Sequence, residues 1–439
     1  MRILRFTWSA LTALALAAAT AAGALAEDRS EPGNRILLQL VAEARANNPD
    51  IQAAQRDWDA ARQRVAPAGA LDDPMLEAGV VSLPTTGRFN QEPMTMKMIG
   101  LGQRFPYPGK LRLRQDVATS EADAVGNLYQ ETVNRVVRDV KVAYYDLSLV
   151  DESIRLVEKN KRILEQFLSI AEARYAVGES SQADVLKAQT QLSRMVDELI
   201  KLGRERPVIE AELNRALGRV TNPKTVTTGA PRAVQQSALD LDTLREAAVR
   251  SRPKLLAQQN IITRSAKAIG LANKDYYPDF DVRFSYGQRD RLADGMPQDD
   301  MIGVTVGINL PIWRENKLGP RVAEAEAMRE QATRMYDAQV NEINAMLRQQ
   351  VATSEQSLKS ARLYESAILP QARLAVEAAL AAYQVNRVDF FTLLDNQMTV
   401  FSYEIAYVSN LTGHNKALAD IEFLVGGSLP QAGIPEGGL

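Results

Sequence analysis

The chain is written twice, and that constrains everything it can fold into. Asn48-Pro49-Asp50 opens one helical pattern and Arg252-Pro253-Lys254 opens another, with the prolines 204 residues apart. Gly102-Gln103-Arg104-Phe105-Pro106 answers Gly307-Ile308-Asn309-Leu310-Pro311 at offset 205. Tyr175-Ala176-Val177-Gly178 answers Tyr383-Gln384-Val385-Asn386 at offset 208, as Asp184-Val185-Leu186 answers Thr392-Leu393-Leu394. So small a drift over so long a span is the mark of a tandem duplication, and each copy should build the same supersecondary unit.

The first repeat covers 27–218: a helix over 36–66, a strand pair at 74–84 and 94–105, a long helix over 110–175 and a return helix over 182–217. Residues 219–239, rich in Pro, Gly and Thr, read as a connector. The second repeat covers 240–427, with a helix over 240–274, strands at 278–288 and 301–311, a long helix over 318–384 and a return helix over 391–425; residues 428–439 form a tail. The strands rest on period two: Phe280, Val282, Phe284 and Tyr286 alternate with Asp281, Arg283, Ser285 and Gly287, and Ile302 to Ile308 behave likewise. Such alternation suits a transmembrane barrel strand, and equally a soluble sheet with one wet face. The first long helix carries a heptad seam through Val137, Val140, Tyr144, Leu147, Ile154, Val157, Leu164, Leu168, Ala171 and Tyr175, interrupted at Asp151 and Lys161. Ala118, Ala122 and Ala124 leave room for a second close neighbour. The fold class is therefore mainly α with a small β part, built from tandem-duplicated long coiled-coil helices.

Residues 1–26 read as a secretory signal peptide: Arg2 and Arg5, an apolar run, then Ala24-Leu25-Ala26 ahead of Glu27. No later stretch has the roughly 18 to 20 apolar residues of a transmembrane helix, so an exported chain stays periplasmic or crosses a membrane as strands. Without Arg2 and Arg5, 50 basic residues face 54 acidic ones, a net charge of −4 that gives nucleic acid no reason to bind. There is no cysteine and one histidine, His414, which reads as an ordinary helix residue. No convergent acid–base or nucleophile set emerges, so neither an enzyme, a cofactor nor a resident metal is expected.

Length sets the architecture. A helix of about 65 residues spans about 98 Å at 1.5 Å per residue, and a return helix plus the next opening helix sum to nearly the same. The turns at Gly178 and Asn386 then lie farthest from the strands. Four strands cannot close a barrel, since single-chain barrels start at about eight. Three copies would supply twelve, and a closed barrel continuing into a helical tube is a duct.

On the motifs Ala173 to Leu192 (ARYAVGESSQADVLKAQTQL), Ala381 to Val400 (AAYQVNRVDFFTLLDNQMTV) and Phe105 to Arg114 (FPYPGKLRLR), the sequence resembles the TolC family of outer-membrane efflux channels over nearly the whole mature chain. The resemblance implies a homotrimer in outer-membrane lipid, a twelve-stranded transmembrane β-barrel and a trimeric α-helical periplasmic barrel. It also implies recruitment by an inner-membrane pump, of the RND type, through a periplasmic adaptor. The adaptor would dock on Val177, Gly178, Glu179, Val385 and Asn386. Tyr383 and Asp184 match positions of a network that holds the tip closed, and Asp395 matches an acidic ring at the pore entrance, where three like charges would attract cations.

This chain departs from that pattern. Arg387 stands one place before the expected gate arginine, Val388 occupies that place, Thr392 replaces a ring aspartate, and Asn386 replaces the turn glycine. Asp184 as a helix-dipole partner and Tyr383 as packing remain alternatives. The FPYPGKL and ILPQA segments resemble the CusC- and CzcC-like heavy-metal branch. Met94, Met96 and Met98 form a candidate soft-metal path on one strand face, with Met75 near; lipid-facing methionines are the plainer reading. Tyr107 and Trp313 suit an interfacial belt or simple packing. Pro370 predicts a bend in the second long helix. A periplasmic coiled-coil scaffold without a pore is the alternative to a channel.

Overall fold

The structure, a computed structural model, describes residues 32–219, 223–234, 239–427 and 429. The signal peptide, parts of the connector and nearly all of the tail lie outside the described residues. Ten helices and four strands are present among them: α1 (Pro32–Asn47), α2 (Pro49–Gln63), α3 (Val65–Gly69), β1 (Met75–Val81), β2 (Met96–Phe105), α4 (Lys110–Ala176) and α5 (Gln182–Ala216), then α6 (Leu241–Ser251), α7 (Pro253–Lys274), β3 (Phe280–Gln288), β4 (Met301–Ile308), α8 (Gly319–Leu363), α9 (Leu369–Gln384) and α10 (Phe390–Val425). No helix among the described residues is long and apolar enough to cross a membrane.

The opening helix of the first repeat is broken into α1, α2 and the start of α3, and that of the second into α6 and α7. Proline lacks the N–H that would continue a helix and disfavours α geometry in the residue before it, so the chain breaks ahead of Pro49 and Pro253. At the first break the Asn48 side chain caps α2, accepting from the Asp50 amide at 2.8 Å, and donates to the Ala216 carbonyl at 2.8 Å. At the second, Arg252 cannot cap; the Glu131 carboxylate instead accepts from the Arg252 guanidinium at 3.2 Å and the Lys254 amide at 3.3 Å. Pro370 acts differently. A π turn over Tyr364–Ile368 precedes it, with the Leu369 N–H reaching five residues back to the Tyr364 carbonyl. A second π turn, Arg314–Leu318, precedes Pro320 in the same way. The widened turn separates the proline ring from the carbonyl four residues earlier, the clash that would otherwise break the helix.

The chain divides into two compact units that cut across the repeats. One takes the described residues of Met1–Ile51, Val133–Leu244 and Met346–Leu439; the other takes Gln52–Thr132 and Arg245–Ala345. The first unit's core runs along α4 through Val150, Val157, Leu164, Phe167 and Ala171, packed on Met195, Ala379, Leu393 and Leu394. Its buried positions also include Ser153 and Asn160. The true seam is therefore 150, 153, 157, 160, 164, 167, 171, 174, and it ends on Arg174. Tyr175, read from sequence as the last seam position, is half exposed. An apolar scan steps over Ser153 and Arg174 onto Ile154 and Tyr175, and the shifted frame takes Leu168 in place of the buried Phe167. Asn160 is satisfied inside the core: Gln397 donates to its carbonyl at 2.8 Å and its amide meets the Met195 sulfur at 3.2 Å. In coiled coils a buried polar residue of this kind favours one register, at some cost in stability. Asp151 is no interruption either, since it pairs with Arg206 at 2.8 Å and accepts from Thr228 of the connector at 2.7 Å. His414 is buried and reaches Ser354 and the Val234 carbonyl of the connector, at 2.9 and 3.2 Å.

The second unit holds an antiparallel sheet in the order β1-β2-β3-β4, with the two repeats joined at β2 and β3. Ser82 at φ 54 turns the chain out of β1, and Met94 and Thr95 precede β2, so these strands are shorter than the sequence suggests. Below the sheet, the FPYPGKL segment makes its own junction. Lys110, at 4% side-chain exposure, bonds Asp279 at 2.8 Å and Asp275 at 3.2 Å; Arg104 and the Tyr107 amide also bond Asp279. Tyr107 stacks on Tyr277 at 4.5 Å, whereas Trp313 is exposed.

Burial opposes ionisation of Asp279, but Lys110, the Tyr107 amide and Arg104 outweigh it and hold the carboxyl below the usual aspartate range. Its stabilising contribution is therefore full above the ordinary aspartate pKa of about 3.9 and is lost as pH falls through the depressed folded value. Lys110→Met is expected to cost about 3 kcal/mol by stranding a buried carboxylate. Adding Asp279→Asn should recover part of that loss in a double-mutant cycle of denaturant unfolding in detergent, and additive losses would contradict the pairing.

Candidate functional site

The two hairpin turns belong to the first unit and are built alike. Helix α4 ends in a Schellman motif: the Gly178 N–H bonds the Tyr175 carbonyl at 3.0 Å and the Glu179 N–H bonds the Arg174 carbonyl at 2.8 Å, with Gly178 at φ +77. Helix α9 ends the same way, Asn386 to Tyr383 at 3.2 Å and Arg387 to Ala382 at 2.9 Å, with Asn386 at φ 58. Asn is, after Gly, the residue that takes this left-handed geometry most readily. The motif leaves Val177 and Val385 at the apex, 72% and 61% exposed. Two apolar tips with Glu179 beside them make a surface able to meet another protein.

The gate residues assigned from the resemblance are not gathered into one network. Asp184 forms a capping box with Ser181 and also accepts from Ser180 at 2.8 Å, so it serves the start of α5. Thr392 donates through its amide at 2.9 Å and its hydroxyl at 2.5 Å to Asp389, the N-cap of α10. That hydroxyl first, then the amide, keeps the Asp389 carboxyl below its usual range. The side chains of Asp395 and Arg387 are exposed, and neither has an ion pair among the described residues. Tyr383 is buried against Phe390, ring centroids 5.5 Å apart.

The residue that ties the turns together is Arg174, which the sequence reading does not single out. Its guanidinium lies 4.7 Å over the Tyr383 ring and donates to the Tyr383 carbonyl and the Asn386 side chain, joining the end of α4 to the end of α9. It also faces Glu179 at 3.5 Å. The available signal was its seam position, three residues after Ala171. The Tyr383 hydroxyl, by contrast, is buried with no hydrogen-bond partner among the described residues.

The sheet presents two unlike faces. Leu76, Val80, Ile99, Leu101, Phe284, Ile302, Val304 and Val306 share one face, and all are 46–70% exposed. The register puts Glu77, Gly100, Gly102, Ser285, Arg283, Asp281 and Thr305 on the other, where Arg283 pairs with Glu77 at 3.2 Å and Asp281 at 2.9 Å. Met96 and Met98 lie on this small, polar face, not the apolar one. Met94 lies outside the strand, and Met75 shares the face but stands opposite Gly102, four residues along from the row of Met98. The outer strands β1 and β4 each have one edge without a partner strand among the described residues.

A family model described as outer membrane efflux protein matches residues 40–219 and 244–427, one segment in each repeat. The chain belongs to this family. Its members are channels rather than enzymes, located in the outer membrane and extending into the periplasm. The chain is 21% identical over 414 residues to the cobalt-zinc-cadmium resistance protein CzcC of Cupriavidus metallidurans, covering 91% of both sequences. Its fold is similar to that of CusC (TM-score 0.75, 16% identity, 91% of this chain and 96% of that one) and of VceC from Vibrio cholerae (0.76, 18%, 90% and 97%).

Because Arg174 bridges the two hairpin turns, Arg174→Ala should destabilise them by about 1–3 kcal/mol, read as faster amide exchange at 171–179 and 380–387. Tyr383→Phe removes a buried hydroxyl that lacks a partner and should leave exchange unchanged or slower. Equal loosening by both variants would contradict this division of roles.

Proposed function

We propose that three copies of this chain assemble a passive export duct, with twelve strands closing a barrel in outer-membrane lipid and the helices continuing as a periplasmic tube. The observation that carries this is the sheet: one broad apolar face open to its surroundings, one polar face, and two unpaired edges. In hydrocarbon every backbone group must be paired, so only closure with further copies satisfies β1 and β4. The apolar face then meets lipid and the polar face lines the lumen. A scaffold with a soluble sheet would have to cover that apolar face.

The duct would take its energy from an inner-membrane pump of the RND type through a periplasmic adaptor. The exposed Val177 and Val385, with Gly178, Glu179 and Asn386 shaping the turns, fit the docking of an adaptor hairpin. Asp395 would ring the entrance, while Asp184 and Thr392 act as helix-start residues and Tyr383 as the platform on which Arg174 sets the tip. Arg387, exposed on the second turn, fits an adaptor contact better than an internal lock. Likeness to the cobalt-zinc-cadmium resistance protein supports heavy-metal cations as cargo.

Planar-bilayer conductance of the purified protein tests this reading. Discrete openings with cation selectivity that Asp395→Ala weakens are expected. A folded protein that never inserts would support the scaffold instead, and a pore indifferent to Asp395 would keep the duct and remove the acidic ring.

A further inference from the structure

We propose that the polar face of the sheet carries, at its loop end, a thioether site for a soft monovalent cation, Cu(I) or Ag(I), built by Met96, Met98 and Met301 around Gly287. The proposal rests on the reading of this face as the lumen of the duct. The register places Gly79, Met98, Gly287 and Met301 side by side in one row across all four strands. Neighbouring strands lie about 4.8 Å apart, so Met98 and Met301 flank Gly287 within reach of their flexible side chains. Met96, two residues from Met98 on the same face, leans into the gap between them: a Cβ on Gly287 would lie 2.6 Å from its sulfur and 3.3 Å from its Cγ. On the other flank a Cβ at Gly79 would meet nothing within 4 Å. Gly287 thus gives the Met96 side chain a seat against the sheet, with Met98 and Met301 on either side of it in the same row and open space at Gly79 beyond Met98.

The chemistry of the site is selective. Thioether sulfur is a soft, neutral donor that suits Cu(I) and Ag(I), while Zn(II) and Co(II) prefer imidazole, carboxylate or thiolate. The chain has no cysteine, its one histidine is buried in the other unit, and no group of three His, Cys, Asp or Glu able to hold a metal occurs among the described residues. Of the neighbouring cations, Lys97 points to the opposite face and is paired with Asp290 at 3.1 Å, and Arg289, two residues beyond Gly287, gives its guanidinium to the Asp299 carbonyl at 2.6 Å and the Pro93 carbonyl at 3.4 Å. The donors are weak and neutral, as a transit site requires, since a conducted ion must be able to leave. The cargo preference differs from the metals in the name of the CzcC relative, which makes the proposal separable from that likeness.

The experiment is equilibrium dialysis of the full chain in detergent against Ag(I) in chloride-free buffer, with bound silver read by mass spectrometry. Met96→Leu/Met98→Leu/Met301→Leu keeps side-chain volume and should weaken binding by at least about tenfold. Gly287→Val keeps every sulfur but displaces the Met96 side chain from its seat, and should weaken binding in the same direction. Met94→Leu should leave binding as in the parent, and Zn(II) and Co(II) should show no binding that depends on these methionines. Silver bound equally by parent, triple variant and Gly287→Val overturns the site, as does methionine-dependent uptake of Zn(II) in place of silver. The readout does not need a working pore: a protein that binds silver as expected but never conducts refutes the duct, and one that conducts but ignores the methionines refutes only this site.

Discussion

A strand edge facing hydrocarbon leaves backbone N–H and C=O groups that neither water nor side chains can satisfy, at several kcal/mol each. This one constraint governs the chain. Its sheet has a broad exposed apolar face and two outer edges with no partner strand among the described residues. Membership in the outer membrane efflux protein family fits the demand, and in the proposed duct the unpaired edges would be met by copies of the same chain.

The ends of the two units are secured by different physics. Below the sheet, a buried lysine and aspartate, supported by Arg104 and a backbone amide, hold the strand-to-helix junction of FPYPGKL in place. At the hairpins the helix ends are anchored by buried Tyr383, Phe390, Leu393 and Leu394, while the turns themselves rest on local backbone motifs plus one arginine that bridges the two long helices' ends. A turn held by caps and one cationic contact can be rebuilt at low cost, which suits a surface that must engage a partner. The buried Tyr383 hydroxyl marks the place where this packing is incomplete.

The polar residues were the hard part of the sequence to read. Period two in Phe280 to Tyr286 and Ile302 to Ile308 made the strands and their faces legible, because alternation follows directly from the pleat. The helical seam was legible only where it was apolar. Ser153, Asn160 and Arg174 occupy seam positions but look like surface residues, so the pattern slid one residue at the first and the last. The gate was less legible still. Asp184 and Thr392 resemble an ion network by position, yet each is engaged by a helix start one turn away, and the S-x-x-D spacing of Ser181 to Asp184 is itself the sign of a capping box. Arg174 was overlooked because its partners, Tyr383 and Asn386, lie more than two hundred residues away.

The sequence by itself determined the duplication, the two-faced strands and the turns over Gly178 and Asn386. Each of these follows from periodicity or from the allowed backbone angles of one or two residues. Only the tertiary structure decided which face carries Met96 and Met98, that Met301 joins their row while Met75 does not, which polar residues enter the seam, and that one arginine closes the hairpins. Those outcomes depend on register between strands and helices distant in the chain, and a shift of one residue would have reversed them.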